Sequence, residues 1–178
     1  VHAPHPPLPE YYPDEAARRG WVRGIFDRTA PDYARIEWVM GFGTGPRYRR
    51  RALLRAGLVR GMQFVDVGTG TGLVAREAAG ILGDARAVIA IDPSAGMLRH
   101  ARLPEGAALL EGSAESLPLP AAIADFLSMG YALRHISDLS TAFAEFFRVL
   151  KPGGILCILE ITRPTGRIGH ALMKAYMR

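Results

Sequence analysis

The sequence has a single cysteine, which excludes an internal disulfide. Cys157 sits inside the apolar run ILCILEI, where it reads as a small buried hydrophobe rather than a nucleophile. Cysteine usage this sparse fits a reducing cytoplasm. No apolar run approaches the length of a membrane-crossing helix. The proline-rich start VHAPHPPLPEYYPDEAARRG lacks the charged-then-apolar order of a secretory signal. No metal centre is expected. Positive charge comes overwhelmingly from arginine, with a net charge of +5. A polyanion or an anionic membrane surface suits such a balance, but a solvated face is the preferred reading overall. The denser cluster RYRRR (47 to 51) reads as a helix surface before a nucleic-acid site.

What is present is an ordinary globular composition: 178 residues, 49% hydrophobic and 22% charged, enough for one domain with a real core. An N-terminal arm and helical cap fill residues 1 to 57, helical from about Asp14, with Pro31 breaking or starting a helix. A cofactor-binding α/β domain fills 58 to 178. There strands alternate with helices: MQFVDVG, AVIAID, AALLEGS, IADFLSMGY and ILCILEI are strands, and LSTAFAEFFRVL is an amphipathic helix ending at KPGG. Short strands, apolar on both faces, predict a doubly wound, Rossmann-like parallel sheet with flanking helices. Ligands in such sheets bind at the carboxyl ends of the strands, where the glycine loop, Asp92, Ser113 and Tyr131 fall.

The stretch VDVGTGTGLVA (65 to 75) puts glycine at 68, 70 and 72 between a strand and a helix. Bare backbone there lets a ligand touch main chain near a helix N-terminus. The loop has no lysine, so a P-loop fails. The third glycine of the dinucleotide pattern would fall at Leu73, which weakens a nicotinamide cofactor. Asp66 would meet a pyrophosphate unfavourably and a cationic ligand favourably, and Asp92 ends the second strand as an acceptor for ribose hydroxyls. An acid, G-x-G-x-G and a second acid therefore favour S-adenosylmethionine.

VDVGTGTG, AIDPSAGML, EGSAESLPLP and RVLKPGG, in this order, resemble the motif series of class I S-adenosylmethionine-dependent methyltransferases. More narrowly, FDRTAPDYARIEWVMGFG, YALRHISD and RVLKPGGILCILEITRP resemble the ubiquinone/menaquinone-biosynthesis C-methyltransferase family, over about Phe26 to Pro164. The resemblance implies S-adenosylmethionine as cofactor, S-adenosylhomocysteine as product, and a small apolar or aromatic, quinone-type acceptor. It implies a cofactor site of Asp66, Gly68, Thr69, Gly70, Thr71, Gly72, Asp92, Pro93 and Met97. Ser113 and Ala114 would border the adenine, with Gly130 and Tyr131 completing the site. Ser113 stands where the family usually has Asp or Asn, and Gly130 where it often has a cofactor-contacting serine. The class I fold ends with two further strands that nothing after ILCILEI supplies, so a fragment or an open sheet edge is expected. GRIGHALMKAYMR would be the helix after strand five.

For carbon methylation of a phenolic ring, Arg134 would stabilise the oxyanion and His135 act as base. The competing readings are that Arg134 pairs with a helix carboxylate and that His135 is a surface residue. Tyr33, Trp38, Met40 and Phe42, from the apolar cluster YARIEWVMGF, are expected at the mouth of an apolar substrate pocket. A peripheral membrane contact accompanies such an acceptor. Two alternatives remain. An RNA or protein methyltransferase lacks support from an Asn-Pro-Pro-Tyr or a loop cysteine, and nucleic acid is disfavoured. A non-catalytic cofactor-binding subunit would explain Ser113 and Gly130.

Overall fold

A computed structural model of the chain describes residues 10–161 and Gly166. The helix expected in GRIGHALMKAYMR, and the strands expected after it, lie outside the described residues. Five strands, β1 (Phe64–Val67), β2 (Val88–Asp92), β3 (Ala108–Glu111), β4 (Ala124–Gly130) and β5 (Leu150–Leu159), form one sheet in the order β3-β2-β1-β4-β5. Every pairing is parallel. The helices are α1 (Glu15–Met40), α2 (Gly45–Arg55), α3 (Leu73–Leu82), α4 (Ala95–Arg99) and α5 (Leu139–Val149). This is the predicted doubly wound α/β architecture, and β1 is the point from which the strand order runs both ways.

Alternation along each strand divides the core in two. Phe64, Phe126 and Cys157 pack on one face with Val74 and Ala78 of α3 and Leu53 of α2. Val65, Val67, Leu127 and Met129 pack on the other with Phe146 and Val149 of α5. Both faces are covered, so β1 and most of β2 and β4 are buried. β3 departs from the expected two-sided burial: Ala108, Leu109 and Glu111 are exposed, because it pairs with β2 alone at the sheet edge. Regular pairing of β5 with β4 resumes at Ile155 opposite Phe126, after an irregularity that absorbs KPGG.

Pro31 does not break the N-terminal helix; it lies inside α1. An interior proline removes one backbone hydrogen bond and costs about 3 kcal/mol. Tertiary docking outweighs that cost. Glu15 accepts from the Ser137 hydroxyl (2.6 Å), Asp27 from the Ser94 hydroxyl (2.6 Å), and Glu37 binds the buried Arg49 of α2. The chain turns instead at Gly41–Thr44, where Phe42 and Gly43 have φ of 49° and 67°. α1 thereby lies across the carboxyl ends of the strands.

Candidate functional site

The loop after β1 is built by its glycines. Gly68, Gly70 and Gly72 have φ of 69°, 56° and 83°, in the left-handed region that favours glycine. A Cβ on Gly68 would lie 2.8 Å from that of Ala132, so the loop also needs the missing side chain to pass beneath the segment after β4. Gly68 and Thr69 donate their N–H groups to the Ile91 carbonyl (2.8 and 3.0 Å), which ties the loop to β2. The Gly70 N–H donates to one oxygen of Asp92 (2.7 Å) and the Ser94 N–H to the other (2.8 Å). Burial pushes the Asp92 carboxyl up, and the two N–H donors oppose it. Each oxygen keeps acceptor capacity.

Between these strand ends and α1 lies a cavity of about 170 Å³. Gly68, Gly70, Asp92, Pro93 and Met97 line its β1–β2 side, and Ser113 and Ala114 its far end. Gly130, Tyr131 and His135 line the β4 side, and Tyr33 reaches it from α1. Tyr131 has a φ of 58°, a strained conformation for an aromatic residue, fixed by its N–H donating to the Leu159 carbonyl (2.7 Å). Gly130 beside it has no room for a side chain, since a Cβ would lie 2.8 Å from Val74. The His135 ring meets the Phe26 ring edge-on at 5.2 Å.

The remaining predicted residues lie elsewhere. Asp66 is 1% exposed and sits beneath the loop, accepting from the hydroxyls of Ser128 (2.5 Å) and Thr69 (2.7 Å). Desolvation pushes its carboxyl up to about 6, against the pull of these two donors. Gly72 begins α3 as its cap, and the buried Thr71 borders a second groove, lined from α1 by Ala30, Ala34 and Trp38. Arg134 is half exposed, donates to Glu160 (2.9 Å) and does not itself line the cavity, although its charge reaches the Tyr33 hydroxyl that does. Trp38, Met40 and Phe42 are exposed and do not line the cavity. The uninterrupted helix explains Trp38: it lies about 140° round the axis from Tyr33.

Several site residues escaped the sequence reading. Val22, Phe26 and the arginines Arg19 and Arg23 of α1 line the cavity, while Asp27 fastens α1 to the start of α4 through Ser94 and the Gly96 N–H (2.8 Å). The Ser94 hydroxyl and this N–H hold the Asp27 carboxyl below its usual range. The legible signal was the helical spacing of residues 19, 22, 23 and 26, whose face Tyr33 joins only because α1 runs through Pro31.

The sequence from 14 to 178 matches the ubiE/COQ5 methyltransferase family. The chain belongs to this family. The ubiquinone/menaquinone biosynthesis C-methyltransferase of Syntrophotalea carbinolica is 38% identical over 162 residues, covering 88% of this chain and 68% of that protein. The demethylmenaquinone methyltransferase of Symbiobacterium thermophilum is 33% identical over 170 residues, covering 91% and 65%. This ubiE/COQ5 chain thus spans about two thirds of the length of the curated relatives it matches. Among solved structures, a SAM-dependent methyltransferase from Thermotoga maritima superposes with a TM-score of 0.64 at 30% identity, covering 85% of this chain and 67% of that one. One from Aquifex aeolicus gives 0.60 at 26%, covering 67% and 66%.

The cofactor that goes with this family and fold is S-adenosylmethionine, and the cavity fits it. Backbone without side chains at Gly68 and Gly70, acceptor capacity on Asp92, and an apolar slot from Pro93, Met97 and Ala114 are groups that could hold its amino-acid, ribose and adenine parts in turn. Arg19 and Arg23 add positive charge for a carboxylate. Among the described residues no group of three or more His, Cys, Asp or Glu side chains could hold a metal ion, and no helix is long and apolar enough to cross a membrane.

Proposed function

We propose that the protein transfers a methyl group from S-adenosylmethionine to a ring carbon of a quinone-type acceptor. The observation that carries this reading is one cavity with two chemistries. Its β1–β2 side offers bare backbone and the Asp92 carboxylate, and its α1 side offers Val22, Phe26 and Tyr33 with His135 at hand. The cofactor, when bound, supplies an electrophilic methyl on a sulfonium. The residues of the chain supply position, which dominates catalysis of such a displacement. Gly68 and Gly70 let the cofactor approach the main chain, and Asp92 accepts from ribose hydroxyls. Val22, Phe26 and Tyr33 give the α1 wall an apolar part that selects a flat, lipid-soluble acceptor. Burial pushes the Tyr33 and Tyr131 hydroxyls up, so both remain neutral donors near neutral pH.

A phenolic ring becomes carbon-nucleophilic once its hydroxyl has lost a proton. His135 is the group on the cavity wall suited to take that proton near neutral pH. With the cofactor bound, Val22, Phe26 and Tyr33 would hold such a ring facing the methyl group that the cofactor would supply, and His135 would hold the proton taken from the hydroxyl. Arg134, paired with Glu160, has no part in this reading. A membrane-soluble acceptor also implies working at a lipid surface.

Isotope-labelled methyl transfer tests the proposal against its competitors. Label is expected in the methylated product of a demethylated quinol and not in a tRNA pool or a protein extract. Label in RNA or protein alone would replace this function with another, and cofactor binding without transfer to any acceptor would support the non-catalytic subunit.

A further inference from the structure

The loop after β1 borders the methyl-transfer cavity through Gly68 and Gly70, and a second groove through Thr71. This groove, of about 640 Å³, runs between α1 on one wall and α3 with residues 99 to 102 on the other. Its volume is in the range of about 300–1,000 Å³ that holds small molecules. Groove and cavity share no lining residue, so methyl transfer leaves the groove without a role.

The wall opposite α1 is cationic. Arg76, Arg99 and Arg102 line it, and among the described residues none of the three has an ion pair. The acids nearby are engaged: Asp32 pairs with Arg35 (3.1 Å), and Asp27 accepts from the Ser94 hydroxyl and the Gly96 N–H. The first turn of α3 has no acidic residue and no side-chain cap, so the helix end beside Thr71 keeps its positive character. The Thr71 hydroxyl is buried and, among the described residues, has no hydrogen-bond partner. A buried hydroxyl left unpaired marks a place where an acceptor belongs. From α1, Trp38 lines the same groove and is 60% exposed. A Cβ on Gly43 would lie 3.2 Å from its ring nitrogen, so the turn seats one part of the indole and leaves the rest open.

We propose that this groove binds a free nucleoside triphosphate. The base stacks on Trp38, the phosphates lie on Arg76, Arg99 and Arg102, and the Thr71 hydroxyl donates to a phosphate oxygen. Stacking on an indole accepts any base, and guanidinium groups take phosphate oxygens in pairs. A polynucleotide would meet the same arginines, but the groove offers one aromatic ring, room for one base. The site goes beyond methyl transfer and depends on no conclusion about the acceptor.

The test is calorimetric titration of the full chain with GTP in saturating S-adenosylhomocysteine, which keeps the base out of the cofactor cavity. GTP and CTP are expected to bind alike, and guanosine and tripolyphosphate each about tenfold or more weakly. GTP should also quench tryptophan fluorescence. Trp38→Leu should remove the quenching and lower GTP affinity about tenfold, and Trp38→Phe should restore most of that affinity. Arg102→Gln should lower it about tenfold while affinity for S-adenosylhomocysteine stays at the parent value. Absence of GTP binding under these conditions, or variants that bind GTP as the parent does, would overturn the proposal. Tripolyphosphate binding as tightly as GTP would overturn it by leaving a plain anion patch. An RNA oligomer binding far more tightly than GTP would do so by making the groove part of a nucleic-acid surface.

Discussion

The fold disfavours the charge of the buried Asp66. With its carboxyl pushed up from 3.8 to about 6, it holds a proton more tightly folded than unfolded. Its contribution to stability is therefore present below about pH 4 and lost as pH rises to about 6, a cost of about 3 kcal/mol over that window. Glu15 and Glu145, held at about 2 by Arg18 and Arg148, act with the opposite sign and lose stability as pH falls from about 4.5 to about 2. Thermal melts from pH 4 to 7 should show a shallower decline in Asp66→Asn than in the parent. An unchanged decline would mean that the buried carboxyl is ionised throughout. His135 and Arg134 separate in the same way. His135→Asn should slow methyl transfer by about 10²-fold or more and flatten its rise with pH. Arg134→Lys, at a half-exposed pair with Glu160, should be close to silent. Pre-steady-state rates across pH check both, and a wild-type profile for His135→Asn would remove the base from the mechanism. The sequence placed these residues in the right neighbourhood because both follow the fourth strand. It did not separate them, since two adjacent side chains on one short turn point apart and only their partners, Phe26 and Glu160, tell which faces inward.

At the scale of elements, α1 matters most and was the least legible. Proline, glycine and strand alternation marked the sheet well: β1, β2 and β4 lie within the predicted stretches, and the regular part of β5 starts at Ile155. Those signals are local. Pro31 is a local signal too, and it misled because the forces holding α1 straight come from residues far along the chain. Ser137 takes Glu15, and Ser94 with Gly96 takes Asp27. Of Tyr33, Trp38, Met40 and Phe42, expected at the pocket mouth, Tyr33 lines the cavity, whereas the continuous helix turns Trp38 outward and brings Val22 and Phe26 to the roof. Asp27→Ala removes two acceptor contacts at the middle of this roof. With a solvent-open pair of this kind worth about 1 kcal/mol, hydrogen exchange in α1 should quicken about fivefold while β1 and β4 keep their protection. Cofactor affinity should weaken by a similar factor. Equal protection in α1 with and without Asp27 would mean that apolar contacts alone hold the helix.

At the scale of the molecule, a parallel sheet with β1 at the centre, glycines where β1 ends and an acid where β2 ends sets a nucleoside-sized site facing an aromatic-lined roof. The glycine pattern and Asp92 made the cofactor readable from sequence, because backbone freedom and an acid at a strand end are properties of single residues; Asp66, expected to face a cationic ligand, lies buried beneath the loop. The acceptor side was less readable, because its wall is assembled from α1 and the segment after β4, about a hundred residues apart. The most direct test of the whole account is calorimetric titration of the protein with S-adenosylmethionine and with NAD. S-adenosylmethionine should bind, NAD should not, and Asp92→Asn should weaken S-adenosylmethionine by about tenfold or more, the loss of charge-assisted hydrogen bonds to the ribose. Binding of NAD in preference, or S-adenosylmethionine binding indifferent to Asp92, would contradict it.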